Sequence, residues 1–521
     1  GMGGGGYDCS YYQDYDCSYE ESYECGYDDG EGNYYPQTCY NWVSQTCQEY
    51  VSQWCEDPNS GGGSCEGGMQ SYCQDQDTGS QYYMSGDAEC NAQSLTGEFF
   101  FRNYNGSSSI YDISPVSSGN DMFIRANDKM TKVNLSNGAF VSINPSEVSS
   151  TPGVKFNGKI YYTSYVGQNV LIKVYNPSTQ TLSTVSSPGI TTSSFSTIAE
   201  NNLAVFKDAQ ISKLYTTDHA VYFTESPYYL AGQSGRVWKI GIDGNMSLEY
   251  QLPTTHSPST STNMLASTKD YFFFCGSNFT TFYATSQSGT TNLQYNCDWQ
   301  NTRMTVLDYE SNLVGTANSS RVLVSNGTIS GTYIASSSHS PFTIPFLFDS
   351  SIYYKSYDSP YVVYGEELFK SQGSNGVFSS NSVMVADLIP GQSGSGPQIY
   401  GAVGGKMLFR ANAPMYQNER LYMVDTAGQV TQLAELPVSY YSLNYTNASK
   451  AGLGANMDGK LYFSFNKNLW VSDGTVAGTQ KVLGLPNGTV GSVEAVAGKI
   501  VMQFLSVENE DYELLIYDPN K

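Results

Sequence analysis

DGKLYFSFNKNLWVSDGTVAGT, residues 458–479, reads as two short strands punctuated by tight turns. Asp458-Gly459 opens a hydrophobic strand, and a second strand runs into Asp473-Gly474. Asp-Gly suits a hairpin turn because glycine adopts positive φ without cost. Thr475 is placed to bond back to the backbone of that turn, and Trp470 to pack between neighbouring units.

The phrase recurs. A glycine turn followed by an aromatic or aliphatic strand is repeated at NGKIYYTS (157–164), GGKMLFRAN (404–412) and AGKIVMQF (497–504). Variants are GEFFFRNYN (97–105) and NDMFIRAND (120–128). Second strands follow in RVWKIGIDGN (236–245), RLYMVDTAGQ (420–429) and ELLIYDPN (513–520). Evenly spaced strands with periodic Gly and aromatic signals mark a β-propeller. The spacing predicts an all-β fold over residues 97–521, with about eight blades, seven and nine also fitting. Residues 97–103 are expected to supply the closing strand of the last blade, since closure removes exposed sheet edges.

At 458–479 the chain resembles secreted bacterial propeller-like proteins whose repeats read "GKLYFRAN" followed by "ELW-x-SDGT-x-AGT". A degenerate copy is EELFKSQGS (366–374), where Glu367, Leu368 and Phe369 stand in for ELW without the Asp-Gly turn. The resemblance implies a propeller and leaves its role open, because one fold hosts many functions.

Residues 1–96 are a different material. The first 101 residues hold no Lys or Arg, about 18 carboxylates and nine of the 11 cysteines, so most of the net charge of −23 lies there. Three octads, YDCSYYQD from Tyr7, YDCSYEES from Tyr15 and YECGYDDG from Tyr23, form an acidic arm over 1–35. They contain no aliphatic side chain and cannot build an oil-like core, so extended or turn-rich chain is expected. Residues 36–96 form a Cys-rich helical or linker segment. In CYNWVSQTCQEYVSQWC, Cys39, Val43, Cys47, Val51 and Cys55 recur every four residues, which predicts a short helix, although an even period also fits a strand.

The arm cysteines are Cys9, Cys17, Cys25, Cys39, Cys47, Cys55, Cys65, Cys73 and Cys90. They lack the close CxxC pairs and histidines of a zinc site, and fit disulfides in an oxidising compartment. Cys275 and Cys297 read as a separate pair within the β domain, so one arm cysteine is left over, either as a free thiol or bonded to another subunit.

No run of 18 apolar residues exists, so no membrane span is expected. The acidic balance argues against nucleic acid, which needs basic partners. The chain begins at Gly1, which predicts removal of a signal sequence. Nine N-x-S/T sequons, at Asn105, Asn134, Asn245, Asn278, Asn318, Asn326, Asn444, Asn447 and Asn487, all lie in the β domain and are glycosylation candidates. No organic cofactor is implied. Calcium is the one ion that clustered carboxylates suit, with Asp75 and Asp77 of DQDTGS as weak candidates. His219, His256 and His339 are the only imidazoles, none in a recognisable catalytic setting. The chain is therefore expected not to be an enzyme.

These observations favour a secreted, extracellular structural subunit. Arms would assemble with arms of other copies into the spine of a filament or appendage, and the propellers would decorate it. The alternative is a cell-surface adhesin or lectin-like module that binds glycans, with the arm as stalk. A polysaccharide-active enzyme using two carboxylates at the propeller mouth is a third.

Overall fold

In a computed structural model, every regular element described is a β-strand. The description covers 7–8, 11–16, 19–28, 34–43, 46–51, 54–55, 71–74, 81–84 and 98–103, and residues 113–520 apart from 150, 189–196, 201–202, 208, 228–233, 254–263, 277–280, 298–302, 318–320, 337–343, 357–364, 375, 391–393, 414–417, 438–451 and 507–511. The chain divides into two compact units, Gly1–Glu66 and Gly67–Lys521.

The larger unit is a nine-bladed β-propeller, at the upper end of the expected range. Each blade is an antiparallel sheet whose strands follow chain order, here called A to D from inside to outside. Blade 8 is typical: Ala455–Met457, Lys460–Phe465, Asn468–Ser472 and Gln480–Lys481. The last blade takes strands A to C from Gly488–Val496, Lys499–Ser506 and Tyr512–Asp518, and its strand D from Glu98–Asn103. Register runs from Glu513 opposite Asn103 to Asp518 opposite Glu98, so the two ends of the propeller sequence are joined by one ladder.

The core is divided along the ring. Nine buried hydrophobic clusters each join two consecutive blades. In blade 8, Leu461, Phe463, Phe465 and Trp470 pack toward blade 7, whereas Tyr462, Leu469 and Val471 pack toward blade 9. Ile113, Met122 and Ile124 meet Val496, Val501 and Ile516, closing blade 1 against blade 9. A strand buried on both faces has no polar side to show, which is why these strands read as continuous apolar runs rather than as alternation.

The glycine phrases are the turns between strands A and B. Asn157-Gly158, Asp458-Gly459 and Ala497-Gly498 all have two consecutive positive φ values, at 48° and 73°, 51° and 72°, and 48° and 75°. That is the type I′ pair whose twist matches a two-residue hairpin. Two blades carry extra strands. Thr197–Glu200 and Leu203–Lys207 extend blade 2, and Gln81–Met84 with Ser71–Gln74 extend blade 7 beyond Val430–Pro437.

The helix expected around residues 39–55 is corrected. Tyr34–Val43, Thr46–Val51 and Trp54–Cys55 are strands, paired antiparallel with Tyr19–Asp28, Tyr11–Asp16 and Tyr7–Asp8. A four-residue period is a multiple of two, so the same spacing that lines one face of a helix also lines one face of a strand.

Candidate functional site

The motif at 472–479 is held by a closed set of hydrogen bonds. Asp473 Oδ1 accepts from Thr475 N at 2.9 Å and Thr475 Oγ1 at 2.6 Å. Thr475 Oγ1 accepts from Gly478 N at 2.9 Å, and Thr479 Oγ1 donates to Thr475 O at 2.6 Å. Gly474 N donates to Ser472 Oγ, which lies 2.7 Å from Thr479 Oγ1. The same set recurs in blade 5 at SNGTISGT, residues 325–332. Asn326 Oδ1 accepts from Thr328 N and Oγ1 at 3.1 and 2.7 Å, and Thr332 Oγ1 donates to Thr328 O at 2.6 Å.

The second full copy is therefore 325–332, a stretch the reading of the sequence missed. The available signal was Ser-x-Gly-Thr-x-x-Gly-Thr with Asn in place of Asp, a change that preserves the accepting oxygen. The degenerate copy at 366–374 does occupy the matching strand, since Glu367 pairs with Ser356 as Asn468 pairs with Phe465. Its buried Glu367 is used differently, accepting from Ser395 N, Ser395 Oγ and Leu388 N, and burial pushes its carboxyl above the ordinary range.

Glycine in this motif has a packing role as well. Gly474 has φ +90°, and a Cβ there would lie 2.5 Å from Val403 O of blade 7. Gly327 has φ +88°, and a Cβ there would meet the Tyr271 ring of blade 4 at 2.6 Å. Each turn thus docks against the preceding blade beside its A–B turn.

One concavity lies among the inner strands. It has a volume of about 230 Å³ and is lined by Ser114, Pro152–Val154, Lys213–Tyr215, Leu265–Ser267 and Met304–Val306. Five consecutive blades contribute their A strands or the residues leading into them. Lys213 supplies a cation, and Ser114, Ser267, Thr305 and Tyr215 supply hydroxyls, against Leu214, Leu265 and Met304. Concave apolar walls with a few converging polar groups are the usual form of a small-molecule site. This one is below the usual volume range and has room for one small polar molecule.

His219 lies elsewhere, in a polar network that stitches the A–B turns of blades 3, 4 and 5. His219 Nε2 is 2.9 Å from Asp270 Oδ1, and Asn312 Nδ2 donates to Asp270 Oδ2 at 2.8 Å. Tyr309 OH donates to Asp218 Oδ1 at 2.8 Å, and Lys269 pairs with Glu310. Asn312 and His219 hold the Asp270 carboxyl below the usual carboxylate range, and burial followed by the Asp218 contact pushes the Tyr309 hydroxyl up. All these groups are engaged between blades, so the network reads as a clamp. His256 and His339 lie outside the described residues.

Cys275 and Cys297 are disulfide-bonded, with Cα atoms 6.0 Å apart. Of the arm cysteines, Cys25, Cys39, Cys47, Cys55 and Cys73 fall in strands, while Cys9, Cys17, Cys65 and Cys90 lie outside the described residues. Asn326 and Asn487 are exposed in turns, and Asn134 and Asn245 are half-buried. Asn105, Asn278, Asn318, Asn444 and Asn447 are outside the described residues, as are Asp75 and Asp77. Among the described residues, no group of three or more His, Cys, Asp or Glu side chains could hold a metal ion, and no helix is long and apolar enough to cross a membrane.

No known protein family matches the sequence, and no curated protein does. Solved structures match in fold. The β-propeller domain of the Trilobed protease from Pyrococcus furiosus, described as having an open velcro topology, aligns at 10% identity and TM-score 0.34 over 71% of this chain and 95% of that one. An oligogalacturonate lyase in complex with manganese aligns at 11% identity and TM-score 0.32 over 86% and 96%. Puromycin hydrolase aligns at 14% identity and TM-score 0.35 over 58% of this chain, which spans about half of the hydrolase (51%).

At these identities the likeness is one of fold, and the class defined is a nine-bladed β-propeller preceded by an acidic, Cys-rich unit. The expectation that the chain is not an enzyme is corrected. The solved propellers it matches include puromycin hydrolase and prolyl endopeptidases, so the fold gives no ground for setting catalysis aside.

Proposed function

We propose that this protein is a structural subunit of an extracellular filament or appendage, in which the Cys-rich arm forms the spine and the propellers decorate it. The observation that carries this reading is the division of the chain into a compact unit at Gly1–Glu66 and a propeller unit with its own core. The first unit has 13 carboxylates, no basic side chain and seven cysteines. Such arms repel one another, so their association requires covalent bonds or bound cations to offset the charge. Native material viewed by electron microscopy should show regular filaments. A chain beginning at Gly67, which retains the closing strand Glu98–Asn103 and the strands added to blade 7, should fold and remain dispersed. Filaments formed by that truncated chain would overturn the assignment of the spine to the arm.

A second reading is supported by the cavity among the inner strands: a surface binding module that takes a small polar ligand or one sugar unit of a glycan through Lys213 and the surrounding hydroxyls. Dispersed native particles that bind immobilised glycans, with binding lost in Lys213→Ala, would favour this reading over the first.

A further inference from the structure

The cavity among the inner strands has a charge opposite to that of the chain. Its lining includes one charged side chain, Lys213, and no carboxylate. Widening each lining segment by one residue along the chain adds Lys155 and Arg303, and still no Asp or Glu. Blades 2, 3 and 5 therefore each bring one cation to this wall. The inner strands of blades 6 to 9, Phe346–Phe348, Gln398–Val403, Ala455–Met457 and Gly488–Val496, carry a single charge, Glu494. In a chain of net charge −23, a wall with three cations and no carboxylate is a local feature that overall composition does not supply.

The wall is held in place by its neighbours. Lys155 is exposed, and its Nζ donates to Ser117 O of blade 1 at 2.8 Å. That bond keeps the ammonium at the inner edge between two blades and uses one of its three donors. The Tyr215 ring lies 5.5 Å from that of buried Phe272 in blade 4, so packing fixes it. Asp308, at the far end of the blade 5 inner strand, accepts from Glu310 N and Ser311 Oγ of its own turn.

We propose that this cavity binds a small hydroxylated carboxylate, the size of one acidic sugar unit. Lys213, with Lys155 and Arg303 beside it, attracts the carboxylate, and Ser114, Tyr215, Ser267 and Thr305 take the hydroxyls. The proposal rests on the second reading above, that the cavity is a binding site, and adds the class of ligand. A cleft lined by one sign of charge focuses its field on the opposite sign. The apolar Leu214, Leu265 and Met304 lower the local dielectric, which strengthens hydrogen bonds to a charged partner. A neutral sugar would use the hydroxyls alone, and a bare inorganic anion the cations alone. A hydroxylated carboxylate uses both.

The test titrates the full chain by calorimetry with D-glucuronate, with D-glucose, which has a hydroxymethyl group in place of the carboxylate, and with inorganic sulfate. Glucose should bind about 10- to 100-fold more weakly than glucuronate, as expected for loss of hydrogen bonding to a charged group. Raising salt from about 0.05 M to about 0.5 M should weaken glucuronate and leave glucose unchanged. Lys213→Gln, and separately Lys155→Gln with Arg303→Gln, should move glucuronate toward the glucose value in protein whose circular dichroism matches wild type. The comparisons between ligands use wild-type protein and stand even where a variant fails to fold. Equal binding of glucose and glucuronate would overturn the ligand class and leave the binding-module reading intact, whereas binding of neither would overturn both. Sulfate bound as tightly as glucuronate would mean a site that reads charge alone, and would overturn the proposal too. A glucuronate-terminated oligosaccharide bound as well as the free acid places the ligand at a glycan end, and one excluded places it among free sugar acids; both uphold the class.

Discussion

Replacing Asp473 with Ala should loosen the outer hairpin of blade 8 by about 1–2 kcal/mol. The carboxylate accepts two hydrogen bonds from Thr475, at 2.9 and 2.6 Å, in an exposed turn. Exposed bonds exchange with water and net about 0.5–1.5 kcal/mol each, with no buried partner left stranded. The loss reaches one step further, because Thr475 Oγ1 is the acceptor for Gly478 N. Local opening reports such a change directly, and hydrogen exchange should accelerate about 5–30-fold across residues 474–480, with distant blades unchanged. Asp473→Asn is the decisive control. Blade 5 carries Asn326 in the same geometry, so the amide oxygen should restore most of the protection. Unchanged exchange in Asp473→Ala, or an Asn variant as impaired as the Ala variant, would refute the reasoning.

Lys481 is 6% exposed, and burial pushes its amine down to about 8. A lowered folded value means that the unfolded chain binds the extra proton between about pH 8 and the ordinary lysine value of roughly 10.5, so this group's contribution to stability rises with pH across that window. The difference in unfolding midpoint between wild type and Lys481→Met should shift toward the wild type as pH climbs from 8 to 10.5, and a pH-independent difference would refute it. Cys275 and Cys297 close a loop of 22 residues, so Cys275→Ala with Cys297→Ala should cost about 3 kcal/mol at the junction of blades 4 and 5, read by hydrogen exchange there. Uniform loss of protection around the ring would instead assign the bond a global role.

The position of the closing strand could be read in advance because it depends on a local pattern. GEFFFRN carries the same Gly-aromatic signal as a complete blade's inner hairpin, yet precedes any partner for it. Blades 4 and 5 were harder to count. Their B strands, FFFC and LVGTA, follow Ser-Thr-Lys-Asp-Tyr and Glu-Ser-Asn rather than Asn-Gly or Asp-Gly, and the His219 network with the Cys275–Cys297 bond does part of the work of the missing turns. The copy at 325–332 was hidden by one Asp-to-Asn change that leaves the accepting oxygen in place.

By itself the sequence determined that there are two materials: an acidic arm without aliphatic residues, and a β domain whose strands are apolar on both faces. Composition and period suffice for that, because each is a local property of the chain. Only the tertiary structure decided the number of blades and whether the four-residue cysteine period meant helix or strand. Blade number is set where Ile113 and Met122 meet Val496 and Ile516, residues nearly the whole propeller apart in sequence. The cysteine period was decided by pairing, since Cys39 faces Tyr23 across a ladder. A spacing of four satisfies both periods, and only a partner strand distinguishes them.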